Sequence, residues 1–237
     1  MENIKYPTGT PAGLGPKLAI VLAAASLSFF YSACAAPLPQ PVCTVALHGD
    51  SILHGAYVDL KNGKEVPGRW QRYPTAEIKA QRPAFVIDDH TVSGQSLSAM
   101  SAQFTTDGLP RIVVLGNGIA EGWFGGPVAE PLKKLVELIR AKGSIPIITG
   151  FARQQPNKYM TASKLAGRDR ADSEARAVAN KLGVQFADFG DAGPVEIIDR
   201  VHPTQAYSLR LTAQLIAALD KVAPECRGES AYIDASR

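Results

Sequence analysis

The chain is short of the features that mark several large functional classes. Its net charge is only +3 over 237 residues, and losing residues 1–35 would remove Lys5, Lys17 and Glu2 and lower it by one. That is too weak a field to imply a nucleic-acid partner. No H-E-x-x-H or similar spacing surrounds its histidines, so His48, His54 and His90 read as structural or substrate-facing, and no metal or other cofactor is expected. Repeats are absent. So is the Gly-x-Ser-x-Gly elbow of the α/β-hydrolases. Cysteine is scarce, at three residues.

What is present is enough apolar residue, 46% of the chain, to bury one sizeable core, and the length favours one domain. Residues 18–36 carry no charge, follow Lys17 and end in small residues around Ala33-Cys34-Ala35. The run reads as an export signal over residues 1–35, followed by a domain over residues 36–237. Two other readings stay open: a retained membrane anchor, since the run is long for a cleaved signal, and a lipoprotein signal with a lipid on Cys34. All three place the domain outside the cytoplasm, periplasmic or secreted. Cleavage after Ala35 would leave Cys43 and Cys226, an even count suited to an oxidising compartment. Cys43 opens the first strand at the end away from the functional residues, and the last helix runs down towards Cys226, so the two are expected to pair.

Apolar runs at residues 45–47, 84–87, 111–115, 145–149 and 184–189 read as strands. Helical spacing appears at residues 75–81, 97–104, 128–142, 171–182 and 208–222; the clearest of these carries Leu132, Leu135, Val136 and Ile139 on one face and stops at Gly143. Alternation of strands and helices predicts an α/β fold, a three-layer α/β/α sandwich around a mostly parallel five-stranded sheet. Residues 60–70 are expected to be a polar, turn-rich insertion. Residues 152–168 are expected to be a solvated loop by default, with a lid or a contact to an acidic glycan as the functional readings.

Two motifs near the ends of the domain carry the chemistry. Gly49-Asp50-Ser51 follows the first strand, and Asp199-Arg200-Val201-His202-Pro203 precedes the last helix. Together they offer a serine, a histidine and a carboxylate, the set that makes a hydroxyl nucleophilic near neutral pH. Ser51 is expected to attack, His202 to shuttle the proton and Asp199 to orient the ring. Each also has an ordinary structural role open to it: Ser51 as a helix cap, His202 as a surface residue, Asp199 as a cap or a partner of Arg200.

With Gly94 in Val92-Ser93-Gly94-Gln95 and the stretch Gly116-Asn117-Gly118, these motifs resemble the blocks of the SGNH/GDSL hydrolase family over residues 44–219. The third block departs from the family pattern, because its asparagine comes one residue early. The resemblance implies a flavodoxin-like sheet and a serine esterase acting on carboxylic esters, with Ser51, Asp199 and His202 as catalytic residues and Ser51, Gly94 and Asn117 as the oxyanion hole. Glu121, Trp123 and His54 are candidates to line the substrate pocket. Acetylated glycans and lipid or short acyl esters are the substrate classes in view. An O-acyltransferase and a non-catalytic glycan-binding domain are the rival readings.

Overall fold

A computed structural model of the protein describes residues 43–116 and 119–228. The expected export segment, Cys34 and Asn117 lie outside the described residues. In chain order the first elements are β1 (Thr44–His48), α1 (Ser51–His54), β2 (Ala56–Lys61), β3 (Lys64–Arg69), α2 (Pro74–Gln81), β4 (Val86–Asp89) and α3 (Leu97–Gln103). They continue with β5 (Ile112–Leu115), α4 (Ala120–Phe124), α5 (Ala129–Ala141), β6 (Ile145–Thr149), α6 (Ala162–Leu182), β7 (Gln185–Ala187) and α7 (Gln205–Val222). Among the described residues no helix is long and apolar enough to cross a membrane.

Five strands pair in parallel in the order β4-β1-β5-β6-β7. β5 shows why parallel pairing suits this sequence, because all four of its residues are fully buried. Ile112 and Val114 pack in one core with Ile78 of α2 and Leu211, Leu215 and Leu219 of α7. Val113 and Leu115 pack in a second core with Leu132, Leu135, Val136 and Ile139 of α5 and Ala175 of α6. A strand covered on both faces needs an unbroken apolar run, which is what the sequence supplies. Each aliphatic side chain buried from α5 contributes roughly 1.5–3 kcal/mol.

The strand order reverses at β1, and in such sheets ligands sit in the crevice at the carboxyl ends beside that reversal. Gly49-Asp50-Ser51 emerges there. At the opposite end of β1, Cys43 and Cys226 form a disulfide with Cα atoms 5.6 Å apart. It bridges 183 positions of sequence, and constraining so long an unfolded loop contributes about 2–4 kcal/mol in the chain-entropy account.

Two expectations need correction. Residues 60–70 are polar, turn-containing and outside the core, as expected, but they are regular strand rather than insertion alone: residues 60–69 belong to the antiparallel hairpin of β2 and β3, closed at Asn62-Gly63. Both residues have positive φ, 52° and 73°, as a two-residue primed turn requires. Residues 152–168 are not loop throughout: 152–161 are irregular and mostly exposed or half-buried, as expected, but 162–168 are helix. Helix α6 begins at Ala162, nine positions before the expected start, and Arg168 within it is only 4% exposed. Its guanidinium donates to the carbonyls of Phe151 and Ala152, which ties the segment after β6 to the helix.

Candidate active site

Ser51 stands where the sheet's polarity places it, as the first residue of α1 directly beyond β1. Asp50 caps this short helix by accepting from the Ile52 N–H at 2.9 Å. Ser51 is 8% exposed, and that remaining surface opens into a cleft. Gly94 reaches the same cleft from the turn after β4. The Val92 N–H donates to the Gly49 carbonyl at 2.8 Å, holding the turn against the serine loop, and Gly94 has a φ of 78°, which a side chain would strain.

His202 enters from the loop before α7, and Asp199 organises that loop. One oxygen of its carboxylate accepts the backbone N–H groups of Val201 and His202, both at 2.9 Å. The other accepts from His202 Nδ1 at 2.8 Å and from the Val58 N–H of the hairpin at 2.7 Å. Burial alone would raise the Asp199 pKa. The bonds from the His202 ring and from the two loop N–H groups outweigh it and hold the carboxyl well below the usual carboxylate range. Because Nδ1 is engaged with Asp199, Nε2 is the basic nitrogen of the ring. Ser51 and His202 both line the cleft, and among the described residues no hydrogen bond joins them.

The hairpin and the segment after β6 brace the histidine loop from two sides. From the hairpin side, Trp70 Nε1 donates to the Pro203 carbonyl at 3.2 Å, and Trp70 stacks on Tyr57 with ring centroids 4.2 Å apart. From the other side, Gln154 donates to the Val201 carbonyl at 3.0 Å and Asn157 to the Arg200 carbonyl at 3.1 Å. The same hairpin supplies cleft wall through Tyr57, Val58 and Pro67. Sequence reasoning missed these wall residues, although the dipeptide Asn62-Gly63 is a strong hairpin signal.

The opposite wall is α4. Trp123 and Phe124 line the cleft, Phe124 with 83% of its surface exposed, and Lys164 Nζ sits 3.4 Å from the centroid of the Trp123 ring. Glu121 does not line it. Its side chain turns inward and accepts the Leu97 N–H at 2.6 Å, which joins α4 to α3. Burial, with the nearby Asp50 charge as a smaller contributor, raises its pKa against the pull of that N–H. His54 does not line the cleft either: its Nδ1 bonds to the Thr91 hydroxyl at 2.9 Å, in a network that continues through Asp89 to Arg69. Among the described residues no group of His, Cys, Asp or Glu side chains is arranged to hold a metal.

Asp50 is a second carboxyl in the cleft, next to Ser51, and burial pushes its pKa up to about 6 against the Ile52 N–H and the attraction of His202. A folded-state value above the ordinary 3.8 means that the native protein binds this proton more readily than the unfolded chain. The stabilisation is therefore full below pH 3.8 and is lost as pH rises through about 6. Asp50→Asn keeps a capping acceptor and carries no charge. It should stabilise the protein at pH 8, by up to about 3 kcal/mol, and converge with the wild type near pH 4. Melting curves at the two pH values check this, and an equal effect at both would refute it.

The fold aligns with those of known proteins. A structure of an M. smegmatis aryl esterase superimposes with a TM-score of 0.64 at 14% identity, covering 76% of this chain and 99% of that one. A carbohydrate acetylesterase family member from Sinorhizobium meliloti gives 0.62 at 16% identity, covering 77% and 99%. An acetylxylan esterase from Geobacillus stearothermophilus gives 0.56 at 15%, covering 74% and 93%. No curated protein matches the chain by sequence. Residues 47–207, which hold both motifs and all five strands but for the start of β1, match the GDSL-like lipase/acylhydrolase family. The chain belongs to that family, a family of carboxylic ester hydrolases.

Proposed function

We propose that the protein is an exported serine esterase that removes short acyl groups, acetyl above all, from carbohydrate or aryl alcohols through an acyl-enzyme on Ser51. One observation carries the reading. Ser51, the Gly94 turn and a histidine oriented by Asp199 share one cleft of about 420 Å³ with otherwise mostly apolar walls. In the first half-reaction His202 Nε2 takes the Ser51 proton as Oγ attacks the ester carbonyl. The N–H groups of Ser51 and Gly94 receive the oxyanion, the C–O bond to the alcohol breaks, and His202 returns the proton to the departing oxygen. Water, deprotonated by the same nitrogen, then releases the acid. Asn117 is proposed as a third donor to the oxyanion. Support for short acyl groups on carbohydrate or aryl alcohols comes from the proteins with which the fold aligns, two acting on acetylated carbohydrate and one an aryl esterase. Support for export comes from the uncharged residues 18–36 and from the Cys43–Cys226 disulfide, which suits an oxidising compartment.

Turnover of p-nitrophenyl esters of two to twelve acyl carbons tests the reading, with acetylated xylan as a polymeric substrate. kcat/KM should fall steeply as the acyl chain lengthens. A preference for the longest chains would overturn the short-acyl assignment.

A further inference from the structure

The cleft continues past His202. Behind the histidine loop a second hollow of about 440 Å³ lies between the hairpin and the segment after β6. It shares Val58, Arg200, Val201 and His202 with the first cleft but touches neither Ser51 nor Gly94. On the esterase reading above, on which this inference rests, the acyl carbon bonds to Ser51 Oγ and its oxygen lies at the Ser51 and Gly94 N–H groups. The departing oxygen must instead lie where His202 Nε2 can protonate it. The arm that holds the histidine without the nucleophile is thus on the alcohol side of the scissile bond, and the arm walled by Trp123 and Phe124 is on the acyl side.

The alcohol arm has a distinctive charge arrangement. Tyr159 gathers two cations: Lys158 Nζ lies 4.9 Å from its ring centroid and the Arg200 guanidinium carbon 4.8 Å. The electron-rich ring face lets two like charges share a small space. Arg200 is also paired with Glu65 across the hollow, and the Asp199 carboxylate is taken up by His202. Lys158 has no carboxylate partner among the described residues, so its positive charge stands free at the rim, while the negative Asp199 lies on the His202 side of the hollow, bonded to the ring and to the Val58 N–H. The floor beside it is apolar, made by Val58 and by Leu60, which is 71% exposed.

We propose that this arm is an alcohol subsite that selects esters whose alcohol portion has an apolar body carrying an anionic group, the body against Val58 and Leu60 and the anion at Lys158. The step there is ordinary acyl transfer: the ester C–O bond breaks, a Ser51 O–C bond forms, and the serine proton ends on the departing alcohol.

The test compares two acetyl esters that differ in charge at the alcohol, 4-acetoxybenzoate and phenyl acetate, on wild type and Lys158→Glu. Comparing the ratio of kcat/KM for the two esters between the two proteins cancels the different reactivities of the phenols. The variant should lose roughly five- to tenfold on the anionic ester, the effect of reversing one rim charge, and stay within twofold on the neutral one. Raising salt from 50 to 500 mM should shrink the wild-type ratio. An unchanged ratio in Lys158→Glu, or an equal loss on both esters, overturns the subsite. Failure of wild type to turn over either ester overturns the esterase reading itself, and the subsite with it.

Discussion

Replacing Ser51 with alanine should lower kcat for p-nitrophenyl acetate by about 10⁴–10⁶, because loss of the nucleophile removes the acyl-enzyme route altogether. The substitution deletes one oxygen from a residue that is 8% exposed, and the Ser51 hydroxyl makes none of the hydrogen bonds that hold α1; the Ser51 carbonyl, which accepts the Gly55 N–H, is backbone and stays in place. The capping bond to Ile52 comes from Asp50 and stays in place. The melting temperature should therefore be unchanged, and binding of a substrate-like ester should persist. Burst kinetics sharpen the test: wild type should release one equivalent of p-nitrophenol ahead of the steady state if deacylation is slow, and the variant none. Activity within tenfold of wild type would remove Ser51 from the chemistry.

Asp199→Asn should lower kcat by roughly 10³–10⁴ with little change in KM. The asparagine oxygen can still accept the loop N–H groups of Val201 and His202, which now reach one carboxylate oxygen. The amide nitrogen that replaces the other oxygen cannot accept from His202 Nδ1 or from the Val58 N–H. Bonding to the ring then requires the tautomer with its proton on Nε2, which cannot accept the serine proton. The variant also loses the charge that stabilises the imidazolium. If Asp199 served only to shape the loop, stability would fall and kcat would stay within about tenfold, so melting curves and steady-state kinetics on one preparation separate the two roles.

The parts of this molecule that were legible in the sequence are those where periodicity and burial agree. Ile112–Leu115 and the face of Leu132, Leu135, Val136 and Ile139 announce themselves because each contributes wholly to a core. The strands of the hairpin are hidden in its polar sequence because its residues alternate weakly: Leu60 and Val66 are exposed, and Lys61, Lys64 and Glu65 surround the turn. Its role is to hand the Val58 N–H to Asp199, a backbone function that leaves no trace in side-chain chemistry. The first half of α6 was missed for a related reason. Residues 162–170 hold few large apolar side chains, and the buried element there is Arg168, whose type suggests solvent and whose place is under two carbonyls. Glu121 and His54 were assigned to the pocket because polar residues beside a motif suggest contact with substrate. Glu121 instead satisfies the buried Leu97 N–H, and His54 bonds to the half-buried Thr91 hydroxyl.

Helix α4 touches α6 through glycine on both sides. A Cβ added at Gly122 would lie 2.5 Å from the Arg168 Cα, and one at Gly167 would lie 2.4 Å from the Gly122 carbonyl oxygen. The backbone that carries Trp123 and Phe124 is therefore seated directly on the neighbouring helix and has no space behind it into which to retreat. With Trp123 and Phe124 on the proposed acyl side, attempts to re-engineer the enzyme for bulkier acyl groups would have to trim those two aromatic side chains. Shifting the helix is closed as a route, so a library built at positions 123 and 124 should yield broadened variants that one built at 122 and 167 does not.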